Sequence, residues 1–344
     1  MSRLIVITFL IMACVIINFE DCARAKELER SEGFWEINGT KLHYVMVGHG
    51  DPIVVLHGGP GGNLVSKLDL AAFAPGFRWV FFDQRGCGES NRFPIDLEHI
   101  EDAEAFFGLD RYVEDIEAIR NKLGVETITL LGHSWGGALA VFYAAAHPEQ
   151  VEKLIVYNGG PVWPEIRAAK KQALRERAGS EVNIQVAELI AHIGENIEIW
   201  DQDTLDAEFI KMIRLLIPSY YCHPIASPSP DEVGRGGFWA NQLTNHYIQD
   251  FDRAAFALQL SKVKAPTLIT YGRCEPNPPE RQTYLRDAIP NSVMVVFDTS
   301  GHNAHVEQPE LFGHVLRAFL IGDQLPLEPY YGEASDLCWS AKRG

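Results

Sequence analysis

Residues 127–146 read Thr-Ile-Thr-Leu-Leu-Gly-His-Ser-Trp-Gly-Gly-Ala-Leu-Ala-Val-Phe-Tyr-Ala-Ala-Ala. Thr127–Leu131 is apolar and β-branched, the composition of a strand buried on both faces. Ala138–Ala146 is made of helix-compatible residues and stops near Pro148. Between them stands Gly132-His133-Ser134-Trp135-Gly136, a Gly-x-Ser-x-Gly turn in a strand-to-helix setting. Such a turn lifts the serine hydroxyl above the C-terminal end of the strand. The helix that follows points its positive N-terminus at the same place.

Outward from this stretch, strand and helix patterns alternate. Ile53–Leu56, Trp79–Phe82, Leu154–Tyr157, Thr267–Tyr271 and Val293–Phe297 are short apolar runs expected to be strands. Arg111–Leu123 carries Tyr112, Ile116, Ile119 and Leu123 at helical spacing, and Pro279–Ala288 and Pro309–Leu320 also read as helices. Asn38-Gly39 is a hairpin turn between Phe34–Ile37 and Leu42–Val47, a better reading than the glycosylation sequon that Asn38-Gly39-Thr40 also spells. The alternation predicts an α/β fold with a mostly parallel sheet and helices on both faces. From 161 to 261 the strand signals lapse, and Glu165–Arg177, Val186–Ile193 and Leu205–Ile217 have helical patterns between Pro-rich turns. The expected organisation is a core of residues 26–160 and 262–325, a helical insertion of 161–261 and a tail of 326–344.

The chain has 344 residues, 47% of them hydrophobic and 22% charged, enough to bury a full core. Its net charge of −16 repels phosphate backbones, which argues against nucleic acid as a partner. Arg3, the apolar run Leu4–Ile17 and Ala23-Arg24-Ala25 together have the layout of a cleavable secretory signal over residues 1–25. The run is short of the ~20 apolar residues of a spanning helix. The expectation is export to a periplasmic or extracellular space with no membrane span after cleavage. An uncleaved anchor and a lipoprotein signal ending at Ala13-Cys14 are the alternatives. Beyond the signal, Cys87, Cys222, Cys274 and Cys338 lack zinc-site spacing, so no metal is expected. An oxidising compartment permits a disulfide among them, with the pairing left open.

A serine hydroxyl needs a base to attack at neutral pH. His302 follows a strand and a Ser-Gly turn and precedes the last helix, the place of the third member in the order Ser…acid…His; His305 is its competitor. The acid belongs on the loop after Thr267–Tyr271, where Glu275 is the only carboxylate before Pro279; Asp298 is the fallback. His57-Gly58-Gly59-Pro60-Gly61-Gly62 follows the strand Ile53–Leu56, and its bare backbone suits the second part of an oxyanion hole. The expected donors are the N–H groups of Gly59 and Trp135. No phosphate-loop or dinucleotide fingerprint occurs, and the chemistry needs no cofactor.

His57–Gly62, Asp83-Gln84-Arg85-Gly86-Cys87-Gly88-Glu89-Ser90 and Gly132–Gly137 together resemble the proline iminopeptidase group of the α/β-hydrolases, over residues ~34 to 322. The resemblance implies an eight-stranded sheet, an insertion that caps the site, and Ser134, Glu275 and His302 as a triad. It implies release of an N-terminal residue from a short peptide, with an ester or amide hydrolase of a small neutral acyl compound as the alternative. Asp83, Arg85 and Gly86 match a motif expected to shape the loop beside the site. Ser134 separates the chain from dehalogenase and epoxide-hydrolase relatives of this fold, which use aspartate. The family usually has Asp where this chain has Glu275. Its amine-binding glutamate, in a motif ending Glu-Asn-His-Tyr, is replaced by Thr244 in Leu243-Thr244-Asn245-His246-Tyr247. A hydroxyl does not pair with an ammonium as a carboxylate does. The amine contact is then expected from another carboxylate of the insertion, such as Glu195, Glu208 or Glu232.

Overall fold

The computed structural model describes residues 29–223, 225, 233–244 and 252–337. The expected signal, Cys338 and Glu232 lie outside these residues. Eight strands, β1 (Arg30–Ile37), β2 (Thr40–Val47), β3 (Pro52–Leu56), β4 (Arg78–Phe82), β5 (Ile128–His133), β6 (Val151–Tyr157), β7 (Thr267–Gly272) and β8 (Ser292–Phe297), form one sheet. Its order is β1-β2-β4-β3-β5-β6-β7-β8. The β1–β2 and β2–β4 pairs are antiparallel, and every pair from β4 to β8 is parallel. Asn38 and Gly39 both have positive φ, as a two-residue hairpin turn requires.

The central strands are mostly apolar because both faces are covered. Leu130 of β5 joins a core with Ile116, Ile119, Leu139 and Tyr143 on one face. Its neighbour Leu131 points the other way, into a core with Val55, Phe81, Phe312 and Leu316. The first face is packed by α2 (Leu109–Leu123) and α3 (Trp135–Ala146), after a shorter α1 (Ile100–Phe106). Between β6 and β7 the described residues form no strand and hold the helices α4 (Pro164–Asn196), α5 (Gln202–Leu216), α6 (Phe238–Thr244) and α7 (Arg253–Leu260). A left-handed Gly179 breaks α4 in two, between the two helical patterns seen in the sequence. After β7 come α8 (Glu280–Ala288), a single turn Ala304–Glu307, and α9 (Pro309–Ile321).

Two details depart from expectation. β5 runs on to His133 and α3 starts at Trp135, so the turn is Ser134 alone. Glycine usually reads as an element's end, but here Gly132 and Gly136 stay inside the strand and helix because the backbones around them leave no room for a side chain. The aperiodic tail is also partly packed: the Tyr330 N–H donates to the Met294 carbonyl at 2.7 Å, and Leu337 is fully buried.

β3 has β4 on one side and β5 on the other, so the chain reverses its direction of travel across the sheet there. In parallel sheets such a reversal opens a crevice at the C-terminal ends of the two strands. The loop after β4 is fastened beside it. Arg85 forks onto Asp115 of α2, at 2.8 Å from Nε to Oδ2 and 2.7 Å from the other nitrogen to Oδ1, with both side chains buried. Arg85 also donates to the Phe106 carbonyl, and Asn38 of the hairpin turn donates to Asp115. The motif expected to be structural thus clamps hairpin, α1 and α2 together. Removing one partner strands a buried charge. Asp115→Ala is expected to lower unfolding stability by about 3–5 kcal/mol, read by urea denaturation; a loss below 1 kcal/mol would refute the clamp.

Candidate active site

Ser134 has φ 58° and ψ −118°, a backbone conformation that L-residues rarely adopt. It is enforced by close approach. A Cβ on Gly132 would sit 2.1 Å from the Gly136 carbonyl oxygen, and one on Gly136 would sit 2.0 Å from the Leu56 carbonyl oxygen. Only glycines let β5, α3 and the end of β3 meet this closely. The Ser134 N–H donates to the Tyr157 carbonyl of β6 at 3.0 Å, which fixes the turn from the other side.

The loops after β6, β7 and β8 are stitched to this turn. Asn158 accepts from the Gly272 N–H and donates to the Gly301 carbonyl at 2.9 Å. The next residue, His302, accepts through its carbonyl from His133 Nε2 at 2.9 Å, and its N–H donates to the Tyr220 carbonyl at 2.8 Å. His302 therefore stands against the residue before Ser134. Its Nδ1 is 2.6 Å from Glu275 Oε2. With Nδ1–H directed at the carboxylate, Nε2 is left as the basic nitrogen. Glu275 Oε1 accepts from the N–H of Asn277 at 3.0 Å and from its side-chain amide. Burial pushes the Glu275 carboxyl up, but His302, Arg281 and Asn277 outweigh it and hold it at about 2. Burial lowers the pKa of His302; Glu275 opposes this, while Lys170 and Arg281 reinforce it.

The structure brings Glu275 to His302 and sends the other candidates elsewhere. Asp298 is exposed and pairs with Arg273. His305 is buried, with Nδ1 at 2.6 Å from the Tyr157 hydroxyl and Nε2 at 3.6 Å from Asp69. Cys222 and Cys274 form a disulfide, which joins the segment after Tyr220 to the residue before Glu275. Cys87 is buried and free.

Gly59, Pro60, Ser134, Trp135 and Asn241 line one cavity of about 260 Å³. Two loops meet there through Gln84. Its side chain donates to the His57 carbonyl and accepts from Trp135 Nε1, both at 2.9 Å, and its N–H donates to His57 Nε2. Gln84 lies inside the Asp83–Ser90 motif but was not singled out there; its reach to both loops is tertiary. Asn241 of α6 donates to the Pro60 carbonyl, so the insertion also holds this loop. Thr244 is fully buried, with Oγ1 2.9 Å from the Tyr112 hydroxyl. Neither Glu195 nor Glu208 is among the described residues that line the cavity. Glu208 pairs with Lys211.

The strain at Ser134 has a measurable consequence. Ser134→Gly is expected to raise unfolding stability by about 1 kcal/mol, because relief of a strain of roughly 1–3 kcal/mol outweighs the freedom that glycine adds to the unfolded chain. Ser134→Ala keeps a Cβ and gains nothing comparable. Equal stabilities of the two variants in urea would argue against a strained turn.

The model of the α/β hydrolase fold family matches residues 51–309. The chain is 29% identical over 308 residues to a proline iminopeptidase of Heyndrickxia coagulans, covering 84% of this chain and 98% of that one. It is 30% identical over 309 residues to one of Lactobacillus helveticus, covering 85% and 98%. Among solved structures, a proline iminopeptidase of Mycobacterium smegmatis superposes with a TM-score of 0.59 at 24% identity, covering 85% of this chain and 98% of that chain. Elbow, sheet order and these likenesses agree: the chain belongs to the α/β-hydrolase family, in its proline iminopeptidase-like group.

Proposed function

We propose that this hydrolase works through an acyl-enzyme, with Ser134 as nucleophile. His302 Nε2 takes the serine proton as the hydroxyl attacks an acyl carbon, then returns it to the leaving group. Glu275 orients the imidazole and stabilises the imidazolium. The Gly59 and Trp135 N–H groups hold the oxyanion. Water, activated by the same histidine, then cleaves the ester. The observation that carries this reading is the 2.6 Å contact of Glu275 with His302, in a loop bonded to the residue before Ser134.

For the substrate, the likeness to proline iminopeptidases supports an aminopeptidase that releases an N-terminal residue, with the helices between β6 and β7 as its cap. A second reading, hydrolysis of a small ester or amide, is favoured by Thr244. It stands where the resembling enzymes have an amine-binding glutamate, and it is buried against Tyr112. Export is part of the proposal. The Leu4–Ile17 run supports it, and so does the Cys222–Cys274 bond, since disulfides persist in oxidising compartments.

Ser134 is expected to react with a fluorophosphonate, and Ser134→Ala to abolish labelling and lower kcat by roughly 10⁴–10⁶. Glu275→Gln is expected to lower kcat by up to ~10⁴. The rate rises with pH as His302 loses its proton. Glu275 raises the pKa of that group, so the same variant moves the acid limb of kcat/KM to lower pH. Undiminished labelling of Ser134→Ala, or an unmoved limb in Glu275→Gln, would refute these roles.

Substrate class is read by prolyl and alanyl arylamides against their N-acetyl forms and against short p-nitrophenyl esters. The aminopeptidase reading expects the free amine to be preferred by at least ~10²-fold, the scale of one charge-assisted contact. Equal rates on free and acetylated forms, with esters fastest, would select the second reading.

A further inference from the structure

The cavity beside Ser134 has the opposite sign to the protein. Its described lining includes Arg167, Lys170, Lys171 and Arg281 and no carboxylate, in a chain of net charge −16. Lys170 and Lys171 follow one another on α4. Among the described residues, no carboxylate lies within ion-pairing distance of either. The Lys170 ammonium sits 5.4 Å from the centre of the Tyr220 ring, which is itself 5.0 Å from the His302 ring. Arg281 is fixed more deeply: one of its terminal nitrogens donates to the Asn158 carbonyl at 2.7 Å, while its Nε is buried with no hydrogen-bond partner. Glu275 offsets part of the Arg281 charge.

We infer that Lys170 and Lys171 are specificity residues that bind a carboxylate carried by the substrate, close to the bond that Ser134 attacks. The inference rests on the serine-hydrolase reading and adds a substrate charge to it. A cation beside a low-dielectric cleft attracts an anion more strongly than it would in bulk water, and such a cleft concentrates the field. The carboxylate has two chemical sources: the free C-terminus of a dipeptide, or the second acid group of a dicarboxylic half-ester. Both put a negative charge within a few bonds of the scissile carbonyl, and both are short enough for a cavity of about 260 Å³.

Matched pairs test it on the full-length protein: prolyl-glycine against prolyl-glycinamide, and monomethyl glutarate against methyl valerate. The acid is expected to exceed its neutral partner in kcat/KM by at least about 10-fold in one pair, and the pair that responds identifies the source. Lys170→Gln and Lys171→Gln are each expected to cut that acid-to-neutral ratio several-fold. Added salt is expected to cut it too, because it screens the contact. Lys264→Gln, at the opposite end of the sheet and paired with Glu149, is the control and keeps the ratio. Neutral partners turned over as well as acids in both pairs, or a ratio unmoved by either lysine variant, would overturn the inference while Ser134 still labels with a fluorophosphonate. No turnover together with no labelling would overturn the hydrolase mechanism, and the inference with it.

Discussion

Gly136 lies so near the Leu56 carbonyl that a single methyl group would overlap it. That contact presses the start of α3 onto the end of β3, so the loop after β3 and the serine turn after β5 are parts of one junction. The spacing between Gly59 and Ser134 is therefore set by backbone meeting backbone, where few degrees of freedom remain. Loops after β6, β7 and β8 then add to this junction by hydrogen bonds, with Asn158 and His133 as the links. A rigid junction with residues from five strand ends is what a reaction needs when its groups must stay within fractions of an ångström.

Net charge is an average, and here it hides an inversion. Among the described residues few carboxylates are buried, Asp83, Asp115, Asp206 and Glu275, and the others reach water, which screens them. Among the described residues that line the cavity beside Ser134, the charged side chains are Arg167, Arg281 and the lysines of α4, with Glu275 committed to His302 nearby. The histidine is thus held between a carboxylate that favours its charged form and cations that oppose it. Burial tips the balance toward the neutral form, the form that a base requires.

The α/β pattern was legible because strands covered on both faces leave continuous apolar runs, as in Ile53–Leu56 and Thr267–Tyr271. The hairpin at Asn38-Gly39 was legible for a different reason: few residue pairs tolerate two successive positive φ angles. Glu275 and His302 could be picked from chain order, since each sits just past a strand end. Arg85 was legible as part of a loop-shaping motif, but its partner Asp115, the reach of Asn158 and Gln84, and the Cys222–Cys274 pairing were not, because each joins segments whose separation carries no periodic signal. The cationic lining was hidden for the same cause. Lys170 is half-buried and Lys171 exposed, and only the place of α4 beside the cavity shows that both line it.

The disulfide divides the chain in a way that its fold diagram does not show. Ser134 precedes the helices between β6 and β7, while Glu275 and His302 follow them, so the proposed nucleophile and base reside on opposite sides of any cut made between them. Cys222 and Cys274 are 52 residues apart. A protease that cleaves once inside that interval leaves two fragments still covalently joined beside Glu275. A cut between residues 135 and 221 leaves Ser134 on a separate piece, with no covalent bond to the rest. One crosslink therefore separates the part of the chain where a nick leaves the pieces covalently joined from the part where it does not.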